Sequence, residues 1–210
     1  KDNGSRQFEK WLGLLPAEIK QQRPGLLLAQ AWIYNDSFQL KQIIPILNQL
    51  KSIPIEEFRD QDSIAELNFF QGMVCYWQGD SKLSLKYLGK AREKISQGYP
   101  RITGQIELYF ALANHMIGQG QSVLQSLNAH IKNSRQRQAP HMSRIHVTLS
   151  FLYLLSGKLP SAAEQARLAA QISRHNTNSY ASNYSNYLVA SCHLRLYNLE
   201  AARVHFARSI

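Results

Sequence analysis

The sequence has no long hydrophobic run. A typical apolar run is residues 151–155, far short of the roughly 18 residues that cross a bilayer. No basic region followed by an apolar stretch opens the chain, so no signal peptide is expected there. Glycine and proline are few, at 11 and 7 of 210 residues, while Ala, Leu, Gln, Lys and Arg are plentiful, which favours helix over loop or sheet. No strand pattern is visible. Only two cysteines occur, Cys75 and Cys192, each inside an apolar helical pattern. Two reduced, buried thiols of a cytoplasmic protein are the expectation.

Acidic residues are scarce in one half only. Residues 108–210 hold 10 Lys/Arg against 2 Asp/Glu, within a net charge of +10 for the chain. Between Glu107 and Glu164 no acid intervenes, while Lys132, Arg135, Arg137, Arg144 and Lys158 do. One-signed charge attracts anions; a solvated basic face is the plainer reading of the same residues. The densest stretch, 130–144, reads as an anion contact or as a polar connector. Its charges are not interleaved with aromatics, so binding of single-stranded nucleic acid by stacking is not expected.

Catalytic signatures are also missing. Gly118, Gly120 and Ser122 lack the lysine and the spacing of a phosphate-cradling loop. No pair of histidines four apart with a glutamate between them marks a zinc helix. Cys192 and His193 are adjacent and point in different directions on a helix, a poor start for a nucleophile and its base. The expectation is no enzyme, no cofactor and no metal.

What is present is a repeat. Taking Tyr34, Gly79, Gly118, Gly157 and Tyr197 as one turn column gives spacings of 45, 39, 39 and 40, the period of stacked helix pairs. Small residues recur with it. Gly72, Ala111, Ser150 and Ala190 stand seven before the turn; Ser84, Val123, Ala162 and Ala202 stand five after it. Twelve after it come Ala91, His130, Ala169 and Ser209, with His130 the misfit. Small side chains at these offsets let two antiparallel helices approach closely. Glycine serves the left-handed helix end, Asp80 and Ser81 can cap the next helix, and Pro140 and Pro160 suit helix starts. The pattern predicts helices over 5–15, 24–34, 38–51, 61–78, 81–97, 101–117, 121–134, 140–156, 160–174, 178–196 and 199–210. The fold class is therefore all-α: one tetratricopeptide-like, right-handed superhelix of about five pairs over residues 1–210. The final helix reaches Ile210 without a cap, which reads as part of a longer protein.

Trp11, Leu12, Leu15 and Pro16, followed by Pro24, Leu26, Ala31 and Trp32, form a phrase that resembles the start of the superhelical sensor domain of MalT-like transcriptional regulators, the large ATP-dependent LuxR-type activators. The specific likeness covers residues 11–32; the rest is shared helix-pair pattern. The resemblance implies a cytoplasmic multidomain parent with a signal-transducing NTPase domain before this segment and a DNA-binding helix-turn-helix after it. It implies that the segment itself senses an inducer, and it names no residue of an inducer site.

The residues suggest where a ligand would sit. If the first helix of each pair lines a groove, Glu66, Gln105, Arg144 and Tyr184, thirteen before the turn, and Phe69, Leu108, Val147 and Tyr187, ten before it, are its exposed positions. In 175–187, Tyr180, Tyr184 and Tyr187 form a helical stripe flanked by Asn183 and Asn186. Flat rings beside amides suit a sugar-like polar ligand; packing between repeats is the other reading. Trp32, Phe70, Trp77, Tyr153 and Phe206 are assigned to the core. The expected ligand-binding residues are Gln105, Arg144, Asn183, Tyr184 and Tyr187, taking a small-molecule inducer. The alternative is a protein-interaction scaffold whose groove holds a partner's peptide. Neither reading has this segment contact DNA or a membrane.

Overall fold

A computed structural model describes residues 3–37, 39–96, 99–133, 139–174 and 179–209. Among them it is helical throughout, with no strand. The helices are α1 (Asn3–Leu14), α2 (Ala17–Gln22), α3 (Pro24–Asp36), α4 (Ile43–Ser52), α5 (Gln61–Trp77), α6 (Ser81–Lys94), α7 (Pro100–Met116), α8 (Gly120–Asn133), α9 (Ala139–Leu155), α10 (Leu159–Arg174), α11 (Ser179–Arg195) and α12 (Leu199–Arg208). Short 3-10 turns over Leu40–Gln42 and Ile55–Glu57 flank α4. The chain divides within α7 into two compact units, Lys1–Ile106 and Glu107–Ile210.

The helices lie where the repeat predicts them, with one addition. Helix α2 occupies the gap between the two halves of the 11–32 phrase, and Pro24 opens α3 at its first position, where a missing N–H costs nothing. Expected helix limits at 38, 97, 134, 178 and 210 fall on residues outside the described ones.

The turns explain the period. Gly79, Gly118 and Gly157 take φ of 84°, 83° and 72°, and Tyr197 takes 58° in the same column. Each is followed by a residue whose N–H reaches five residues back: Asp80 to the Cys75 carbonyl, Gln119 to Asn114, Lys158 to Tyr153 and Asn198 to His193, all at 2.9 Å. These bonds satisfy carbonyls that a helix end would otherwise orphan. The same bond links Gln39 to Tyr34 at 2.8 Å. Tyr34 is thus the acceptor inside α3 and not the turn residue. Counted on the donors Gln39, Asp80, Gln119, Lys158 and Asn198, the spacings become 41, 39, 39 and 40, more regular than the sequence column suggests. Asp80 and Asn198 then cap α6 and α12 through the N–H groups of Leu83 and Ala201. Asp60 caps α5 in the same way, and the Ser63 N–H and hydroxyl it accepts hold its carboxyl below the usual range.

In the first unit α5 and α6 pack as an antiparallel pair. Lys94, the last residue of α6, donates to Gln61, the first of α5, at 2.9 Å. Gly72 lies at their closest approach: a Cβ there would meet Leu88 Cγ at 2.6 Å. The fully buried Leu27, Leu28, Leu50, Phe69, Phe70 and Met73 tie α3 and α4 to this pair. Trp32 packs on Phe69 and Phe70, with centroids 5.5 and 4.9 Å away. Its indole N–H donates to Glu66 at 3.1 Å. Trp77 departs from its expected core position. It stands at the end of α5, 59% exposed, beside the turn rather than under it.

In the second unit α9 pairs with α10, α10 with α11, and α11 with α12. Ala162, Ala166, Ala169, Ala181, Leu188 and Cys192 form the core. The alanines let the helices close on one another, as the small-residue columns predict. Cys75 and Cys192 are free and buried, and burial pushes both thiols above their ordinary pKa. No helix among the described residues is long and apolar enough to cross a membrane.

Candidate functional site

The second unit presents two chemically different faces of α11. The first is aromatic. Phe151 on α9 meets Tyr184 edge-on at 5.9 Å between centroids and Tyr187 at 6.3 Å. Tyr187 in turn meets Phe206 of α12 at 5.9 Å. Rings three residues apart on α11 share a face, so a continuous row runs from α9 across α11 to α12. Its members differ in role. Tyr184 is half-buried and packs on the core cluster; Tyr187 is 45% exposed. Asn183 is exposed beside Tyr184. Such a surface offers a ring face and an adjacent amide to solvent, the pairing that polar, ring-shaped ligands use.

The remaining expected positions are less open. Arg144 is half-buried on α9. Gln105 belongs to the first unit. It is 1% exposed, and its Nε2 has no hydrogen-bond partner among the described residues. The column ten before the turn departs from the exposure its register predicts: Phe69, Leu108 and Val147 are buried, and Tyr187 alone opens outward. Helix–helix contact claims that column wherever a neighbouring helix covers it. Of the tyrosine stripe, the side chain of Tyr180 lies outside the described residues, as do 175–178. Residues 134–138 of the basic stretch, with Arg135 and Arg137, lie outside them too.

The second face of α11 is polar and was not foreseen. Asn186 donates from Nδ2 to the Ser182 carbonyl at 3.1 Å, which turns its Oδ1 to His205 Nδ1 at 3.2 Å. An amide oxygen only accepts, so His205 Nδ1 carries the proton. His146 and Gln165 make the same contact one repeat earlier, Nδ1 to Oε1 at 2.7 Å. The pairs are 40 residues apart at both ends, with histidine and amide exchanged between the helices. That spacing is the signal by which the sequence could have located His205. The ring of His193 stacks on that of His205 at 5.8 Å. Beside them a cavity of 550 Å³ opens between α10, α11 and α12, lined by Arg167, Gln171, Ser185, Asn186, His205 and Arg208 among others.

A second cavity, of 320 Å³, lies against α8 and the end of α9. Lys132 and Lys158 line it with Tyr153, whose hydroxyl accepts from Asn128 at 3.3 Å. Among the described residues no three His, Cys, Asp or Glu side chains come together as metal ligands. No family model matches the chain, and no curated protein matches it.

Proposed function

We propose that this chain is a ligand-sensing helical-repeat module, and that the aromatic row on α11 is where the ligand lies. One observation carries the reading: Tyr187 is 45% exposed although Phe151 and Phe206 flank it. The row could close over itself as core, yet it leaves a ring face open with the exposed Asn183 amide on the same helix. Stacking on the ring and hydrogen bonding to the amide would orient a polar ligand such as an oligosaccharide. In this reading the helix pairs form a tetratricopeptide-like right-handed superhelix, and the module serves a cytoplasmic MalT-like regulator. The 11–32 phrase and the period near 40 support that placement. The chemistry of the reading is binding alone. Both thiols are buried and held neutral, a poor starting point for a nucleophile.

The test is a titration of the labelled chain with linear oligosaccharides of two to four sugars, followed by amide and ring resonances. The reading expects saturable shifts at Asn183 and Tyr187, abolished in Tyr187→Ala. A peptide library that moves these resonances where no saccharide does would sink it in favour of a protein-interaction scaffold.

A further inference from the structure

The other face of α11 borders a cavity that the aromatic row does not reach. The cavity between α10, α11 and α12 is lined by two guanidiniums from different helices, Arg167 of α10 and Arg208 of α12, and by the His205 imidazole of α12. Gln171, Ser185 and Asn186 add amide and hydroxyl groups. Among the described residues lining it none is acidic. The acid of α12 is already engaged: Glu200 pairs with Arg203 at 2.6 Å, both largely exposed. That leaves Arg208 as the guanidinium of α12 not neutralised within its own helix. At 550 Å³ the space falls within the roughly 300–1,000 Å³ of small-molecule pockets.

The donor set selects among anions. A carboxylate is planar and is satisfied by one guanidinium fork. A phosphate group has three terminal oxygens and up to two charges, and accepts from several directions at once. Two guanidiniums on separate helices with an imidazole and amides beside them match that demand. We propose that this cavity binds the phosphate group of a small phosphorylated molecule, held by Arg167 and Arg208 with His205 as the third donor.

The environment of His205 gives the site a signature. Burial first, then the neighbouring His193 of α11, Arg208 of α12 and Arg167 of α10, hold its pKa below the ordinary 6.5. Asn186 fixes its Nδ1 proton. A phosphate in the cavity would offset the two guanidiniums and draw the imidazole back toward its charged form. Binding is therefore coupled to proton uptake at one named ring.

The experiment uses the whole chain with inorganic phosphate and glucose 6-phosphate as probes, and acetate as the carboxylate control. Nuclear magnetic resonance follows the His205 ring through a pH titration with and without saturating probe. The expected result is a titration midpoint raised by about one unit by either phosphate, and unmoved by acetate. Arg167→Ala and Arg208→Ala should each weaken phosphate binding about tenfold or more, as loss of a charge-assisted hydrogen bond does. Arg203→Ala, whose guanidinium is spent on Glu200, should leave it unchanged. Equal losses in all three variants would show unspecific charge attraction and overturn the proposal. So would an acetate effect as large as that of phosphate, an unmoved His205 midpoint in the unaltered chain, or binding of duplex DNA that outcompetes both probes. The aromatic row is read on Asn183 and Tyr187, so failure of either site is seen separately.

Discussion

Ser150 Oγ donates to the carbonyl of Ala162 at 2.7 Å, from the middle of α9 to the first turn of α10. Two repeats earlier, Ser84 Oγ of α6 donates to the carbonyl of Gly72 in α5, also at 2.7 Å. The two columns are the same. Only the serine has changed helix. In each pair the residue opposite the hydroxyl has at most a methyl group, because the backbones come within reach of one short side chain. Replacing Ser150 by Ala keeps the volume small and removes the bond, as Ala111 and Ala190 show the column tolerates. The expected cost is about 1 kcal/mol, read as a shift of the denaturant midpoint at unchanged slope.

Gly72→Ala should cost more, although it adds a single methyl. The new Cβ would lie 2.6 Å from Leu88 Cγ and 3.2 Å from the Leu88 backbone nitrogen. Leu88 is fully buried, so neither atom can simply swing aside. Helix propensity favours alanine by about 1 kcal/mol, yet overpacking a tight core costs roughly 1–3 kcal/mol. A net loss on chemical denaturation is expected. A variant at least as stable as the parent would show that α5 and α6 are not so close.

Tyr197 offers the opposite outcome. It holds φ of 58° in the column that glycine fills elsewhere, and its side chain is 88% exposed. The left-handed region costs a residue with a Cβ about 1–2 kcal/mol, offset in part by the greater freedom glycine loses on folding. Tyr197→Gly should therefore stabilise the chain by about 0.5 kcal/mol, visible as a higher melting temperature.

How much of this was legible follows from what each signal depends on. Turn chemistry and small-residue columns act locally or between adjacent helices, so Gly79, Gly118 and Gly157 located the helices within a few residues. The first turn is displaced from Tyr34, and residues 34–39 contain no glycine to mark it. Exposure was harder to read. Whether Phe69, Val147 or Tyr187 faces solvent depends on which neighbouring helix covers it, and all three share one column. Trp77 shows the same difficulty in reverse, since its size argues for the core and its place at a helix end exposes it. The cavity beside His205 joins side chains from three helices, a convergence that no single periodic pattern contains.

The pH dependence of stability has a definite sign. His205 is held below its ordinary 6.5 in the folded chain by burial and by His193, Arg208 and Arg167. Between its folded and unfolded pKa values the unfolded chain binds more protons, so stability rises with pH there. Acidification from about pH 7 should therefore lose stability as pH falls through 6.5 toward the folded value. His205→Gln should remove that component. Gln165 occupies the equivalent position one repeat earlier, where it meets the facing helix through its Oε1; at position 205 a glutamine can instead turn its Nε2 to donate to Asn186 Oδ1. Melting curves of both forms from pH 5 to pH 8 make the comparison; parallel curves would assign the acid sensitivity to other groups.

The two tyrosines of the aromatic row should separate packing from binding. Tyr184 is half-buried, edge-on to Phe151 and packed on the cluster around Leu188. Truncating a largely buried aromatic costs up to 3–5 kcal/mol, and a half-buried one should cost about 2 kcal/mol, so Tyr184→Ala should lower the melting temperature clearly. Tyr187 keeps nearly half of its surface in water, and its contacts to Phe151 and Phe206 have centroids 6.3 and 5.9 Å away. Tyr187→Ala should cost about 1 kcal/mol. Tyr187→Phe should cost little, because it keeps the ring that meets Phe151 and Phe206. If the row is a ligand surface, affinity for a stacking ligand should fall in Tyr187→Ala, survive in Tyr187→Phe, and fall in Tyr184→Ala only as far as folding does. If the row is core alone, the loss of stability in Tyr187→Ala should match that in Tyr184→Ala. Melting and titration on the same three variants separate the two patterns at Tyr187, where a small loss of stability with a large loss of affinity marks a ligand surface and a large loss of stability alone marks core.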